Sequence, residues 1–79
     1  MNIYEVNEEK KFTTFKEAIG NAKEICRIWA KDNGVPFTDK WRIGISCACR
    51  HNVYRHCVCL IDDNNKVIKK IIIKAEWVD

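Results

Sequence analysis

Leucine is almost missing from this chain: Leu60 stands alone against eleven isoleucines and six valines. β-Branched residues lose side-chain freedom in a helix and pack well on a pleated surface, so the composition predicts more strand than helix. Glycine (three) and proline (one) are scarce while hydrophobic residues reach 47%, which excludes a disordered tail or low-complexity linker. With so little glycine there is no phosphate-cradling loop. The acidic stretch Asp62-Asp63-Asn64-Asn65 lacks the glycine and distal glutamate of a calcium loop and reads as a turn. The longest aliphatic run is Ile71-Ile72-Ile73, far short of the roughly 20 residues that cross a bilayer, so no membrane role is expected. At 79 residues the chain reads as a single α+β domain spanning 1–79, without room for a large enclosed active site.

What is present is unevenly placed. The formal net charge is only +3, yet from Lys40 to His56 there are four basic residues, both histidines and no acid. The positive potential is local. Five cysteines would suggest a disulfide scaffold in a secreted protein, but the opening residues show no basic segment followed by an apolar one. A reducing, cytoplasmic setting is therefore expected, with the thiols free.

Periodicity orders the elements. Asn2 to Asn7 alternate around Ile3, Tyr4 and Val6 as a first strand, and Glu8-Glu9-Lys10-Lys11 reads as a solvated turn. Thr14 followed by Glu17 fits a capping box, and Phe15, Ala18, Ile19, Ala22, Ile25, Cys26 and Trp29 recur at helical spacing. Asp32-Asn33-Gly34 supplies the stop, with Pro36 beyond it. From Trp41 the period falls to two, placing Trp41, Ile43, Ile45, Cys47 and Cys49 on the side expected to lie beneath the helix. Runs from Tyr54 to Ile61 and from Val67 to Val78 follow. The expected order is β-α-β-β-β: one amphipathic helix packed on a four-stranded antiparallel sheet.

The cysteine-rich stretch is nearly palindromic about Val53. A hairpin there would set Cys47 opposite Cys59 and Cys49 opposite Cys57 on one face. Four clustered thiols suggest a zinc-stabilised structural domain, but Cys-x-Cys on a strand holds its sulfurs in a row, unlike the tight Cys-x2-Cys knuckles of zinc ribbons. Buried, reduced thiols are the expected state, with no metal and no cofactor; Cys26 is read as another core thiol. A Cys-His couple with His51 or His56 would need an oxyanion hole that no nearby glycine turn provides, so no enzyme is expected.

Surfaces remain. Arg50, His51, Tyr54, Arg55 and His56 form a basic, aromatic hairpin tip suited to a phosphate backbone or to an acidic protein groove. Lys69, Lys70 and Lys74 would extend it, or would guard an edge strand against pairing. If Cys57, Cys59 and Ile61 face the helix, Val58, Leu60 and Ile72 form an outward apolar patch for a partner or a homodimer; a register slip of one would bury it instead.

Small size, a single helix Thr14-Phe-Lys-Glu-Ala-Ile-Gly-Asn-Ala-Lys-Glu and the terminal Glu76-Trp-Val-Asp79 after a lysine-rich strand resemble the small anti-CRISPR proteins of phages and other mobile elements. The resemblance is one of size and element order and carries no functional residue across. It implies an inhibitor that binds a larger protein or ribonucleoprotein complex in the host cytoplasm and occludes it. A direct RNA- or DNA-binding module using the same basic residues is the alternative.

Overall fold

The computed structural model describes residues 1–50 and 53–78, with side chains for 1–45 and 53–78. Six elements follow in order: β1 (Asn2–Val6), β2 (Lys10–Phe12), α1 (Phe15–Asp32), β3 (Lys40–Arg50), β4 (Val53–Ile61) and β5 (Val67–Trp77). The strands form one antiparallel sheet in the order β2-β1-β5-β4-β3. The α+β class and single helix agree with the sequence reading, but the sheet has five strands rather than four. Asn7 and Glu8 both sit in the left-handed region (φ 52° and 60°), and the Glu9 amide donates to the Val6 carbonyl at 3.0 Å. Positive φ at both central residues is what a tight hairpin turn requires, so the charged run folds back as β2 instead of staying a loop.

Helix α1 begins where the capping signal places it. The Glu17 amide donates to the Thr14 hydroxyl, which itself donates to the Glu17 carboxylate at 2.7 Å. Asn33 caps the other end and Gly34 follows at φ 65°. The buried helix positions are small, Ala18, Ala22, Cys26 and Ala30, which lets the backbone approach the sheet; the bulk comes from Val6, Val58, Leu60, Ile71 and Ile73.

Register decides which residues meet the helix. Directly opposed residues of an antiparallel pair share a face, so Leu60 stands with Trp41 and Lys69, Val58 with Ile43 and Ile71, and His56 with Ile45 and Ile73. Val58 and Leu60 are fully buried against α1. This corrects the expected apolar patch: β4 presents its even residues to the core, whereas Cys57 and Cys59 turn away from the helix and Ile72 lies half-buried with them.

The hairpin of the cysteine palindrome forms, with Arg50 opposite Val53, but not in the expected register. Irregularities in β3 after Ile45 shift the ladder, so Cys47 pairs with Arg55, while Cys57 lies opposite Gly44 and Cys59 opposite Arg42. The side chains of Cys47, Cys49 and Arg50 lie outside the described residues. Finally, α1 covers β5, β1, β4 and β2 but not β3. Trp41 gains a partial cover from Lys23, whose ammonium stands 5.4 Å from its ring centroid, and from Phe37 at 5.8 Å. Ile43 and Ile45, expected beneath the helix, are 42% and 64% exposed.

Candidate binding surface on the open face of the sheet

One helix covers one side of the sheet, and the other side is composed by parity alone. Across it the register sets Lys11, Glu5, Lys74 and Arg55 in one row over four strands. A second row is Ile3, Glu76 and Val53, a third Ile72, Cys57 and Gly44, and a fourth Lys70, Cys59 and Arg42. The face thus carries the cations Lys11, Arg42, Arg55, Lys70 and Lys74 against the carboxylates Glu5 and Glu76. Lys40, of the same parity as Arg42 in β3, lies on this side too, beside Asp63 of the neighbouring turn.

The charges are arranged rather than scattered. At the β2–β1–β5 end, Glu5 lies 3.9 Å from Lys11 and 3.7 Å from Lys74, and Glu76 lies 3.9 Å from Lys74. A shallow depression of about 400 Å³ opens there, lined by these four with Ile3 and Val78. Toward β4 and β3 the carboxylates stop and the cations Lys70 and Arg42 remain. Arg42 is held by a guanidinium bond of 2.6 Å to the Asn65 carbonyl, in a turn that Asp62 organises by accepting from the Asn64 and Lys66 amides at 2.8 and 2.9 Å. Lys40 reaches Asp63 in the same turn at 2.6 Å, and that contact keeps the Asp63 carboxyl below its usual range.

Cys59 sits between Arg42 and Lys70 in the ladder and is almost fully buried, consistent with the long stems of its neighbours closing over it. Burial raises its thiol above the ordinary range, with the adjacent Cys57 acting in the same direction and the two cations opposing. Burial thus holds the Cys59 thiol protonated near neutrality. Cys26 is likewise pushed up by burial, and it lies on the helix side. No group of three or more potential metal-ligating side chains occurs among the described residues.

The described side chains of the basic hairpin tip divide between the two sides of the sheet. Tyr54 and His56 project to the helix side, where the His56 ring packs 4.7 Å from Phe15, and Arg55 projects to the open face. His51 lies outside the described residues. The lysine group divides in the same way: Lys70 and Lys74 belong to the open face, whereas Lys69 stands over the Trp29 ring at 5.1 Å on the helix side. Lys11 and Arg42 complete the surface without having been singled out in the sequence. For Arg42 the signal was available, as the even parity of β3; for Lys11 it was not, because its strand was unrecognised. Comparison with protein-family models, with curated proteins and with solved structures finds no match. Among the described residues, no helix is long and apolar enough to cross a membrane.

Proposed function

We propose that this chain is a non-enzymatic binding protein that docks the open face of its sheet on an acidic surface of a larger protein or ribonucleoprotein complex, inhibiting it by occlusion. The observation that carries this reading is the gathering of Lys11, Arg42, Arg55, Lys70 and Lys74 on the one sheet face the helix leaves uncovered. Complementary charge speeds encounter and fixes orientation on a partner. A protein surface is favoured over single-stranded nucleic acid because the described part of this face holds no aromatic ring on which a base could stack. Glu5 and Glu76 point the same way, since they would repel phosphates but can receive a partner's lysine or arginine. An inhibitor of the anti-CRISPR type would work by the same occlusion.

The test begins with cross-linking capture of the partner from the host and continues with titration of that purified partner. Lys70→Glu combined with Lys74→Glu is expected to weaken binding at least tenfold, while Lys69→Glu, on the opposite side, leaves it within about twofold; an interface charge reversal of ~1.4 kcal/mol or more gives the first figure. Equal loss in both variants would remove the open face from the interface. Tight binding of plain RNA or DNA duplexes by the wild type, abolished by the same reversals, would replace the protein partner with a phosphate backbone.

A further inference from the structure

The two edges of this sheet are built very differently. β2 closes one edge with three residues, short and largely charged. β3 closes the other with eleven residues and has no strand beyond it among the described residues. A long unpaired edge offers a row of backbone donors and acceptors, and proteins ordinarily blunt such an edge with charge, shortness or a covering segment. Here the helix stops short, and Ile43 and Ile45 stand 42% and 64% exposed on the same side of the edge, with Gly44 between them.

We propose that β3 pairs antiparallel with β3 of a second copy of this chain about a two-fold axis near Gly44, joining two sheets into one. The sequence of the edge is self-complementary in that register. Ile43 of each copy lies opposite Ile45 of the other, so the four exposed isoleucines form one cluster on the helix side. Directly opposed side chains of an antiparallel pair touch, so these isoleucines would add apolar contact to the backbone hydrogen bonds. Charge selects the same arrangement. β3 carries Lys40, Arg42 and Arg50 and no carboxylate, so a parallel, in-register partner would set cation on cation. About Gly44 each Arg42 instead lies two residues from the axis, on opposite sides of it, so the two Arg42 positions are four residues apart along the strands. At a rise of about 3.3 Å per residue that is ~13 Å, beyond the ~8 Å over which exposed charges are felt at physiological salt. Gly44 has open space around the site of a Cβ and brings no side chain to the axis. This pairing is independent of what the open face binds, although it would set two such faces side by side.

The experiment is light scattering of the intact chain after size exclusion, under reductant so that no intermolecular disulfide contributes. At ~100 μM, where a Kd of ~1 μM leaves little monomer, the wild type is expected near twice 9.3 kDa. Ile43→Lys and Ile45→Lys are expected to return the mass to 9.3 kDa with an unchanged circular dichroism spectrum, because both side chains are exposed in the single chain. Ile28→Lys, at another exposed isoleucine on the helix, is expected to leave the doubled mass intact. A wild type that stays monomeric overturns the proposal, and so does a dimer that survives both edge substitutions. Loss of the dimer in the Ile28 variant alone would assign the interface to the helix and equally overturn it.

Discussion

His56 is the residue at which the local environment most directly sets a pH response. Its ring packs against Phe15 beneath the helix, and partial burial lowers its pKa from the ordinary value of 6.5. A histidine whose folded pKa lies below the unfolded value is protonated first in the unfolded chain. Its contribution to stability is therefore complete above about pH 6.5 and is lost as the pH falls toward the lowered folded value. The melting temperature is expected to fall on acidification from pH 7 to 5. His56→Phe keeps the ring contact with Phe15 and removes the proton, so its melting curve should change less over that interval. A parallel pH profile for the two proteins would place the titrating group elsewhere.

At the scale of elements, the strand registers divide the molecule into its two sides, and one residue step reverses the assignment. Leu60 is fully buried beneath α1, whereas Ile72 is half-buried on the open face. Leu60→Ala is expected to cost about 2–5 kcal/mol and Ile72→Ala about 1 kcal/mol or less, read from urea unfolding at constant slope. Similar costs at the two sites would contradict the register. That contrast also marks how much of the fold was legible. Helix α1 was, because Thr14, Glu17 and Gly34 bound it and its apolar spacing is unambiguous. The parity of β4 was not: Cys57, Val58, Cys59, Leu60 and Ile61 are all apolar or nearly so, and a strand flanked on both sides offers no alternation to read. β2 was hidden for the opposite reason, since Lys10 and Lys11 are exposed and carry no apolar signal at all. Of the candidate surface, Arg55, Lys70 and Lys74 were found and Lys69 was grouped with them; adjacency in sequence stood in for adjacency in space, which a strand contradicts at every step.

For the whole molecule the consequence is an asymmetry of charge between two sides. A chain of 79 residues has a total stability of about 4–12 kcal/mol at the usual 0.05–0.15 per residue, so the core side tolerates little change. The open side contributes less to that core and is free to carry a charge surplus. A face with Lys11, Arg42, Arg55, Lys70 and Lys74 at one side of a particle 42 × 21 × 17 Å in extent gives the molecule an orientation in the field of an acidic partner before contact. Steering of this kind acts on the association rate and is screened by salt, because it operates over distances longer than a hydrogen bond. Raising the salt from about 50 to 500 mM shortens the Debye length to below ~5 Å. The association rate is expected to fall about tenfold or more over that range, with a much smaller change in the dissociation rate. In Lys70→Glu combined with Lys74→Glu the dependence should flatten, and in Lys69→Glu it should flatten less, since that charge leaves the helix side. An association rate indifferent to salt would show that the open face makes contact without drawing the partner in, and would shift the weight of binding to the apolar residues Ile3, Ile72 and Val78 that lie among the charges.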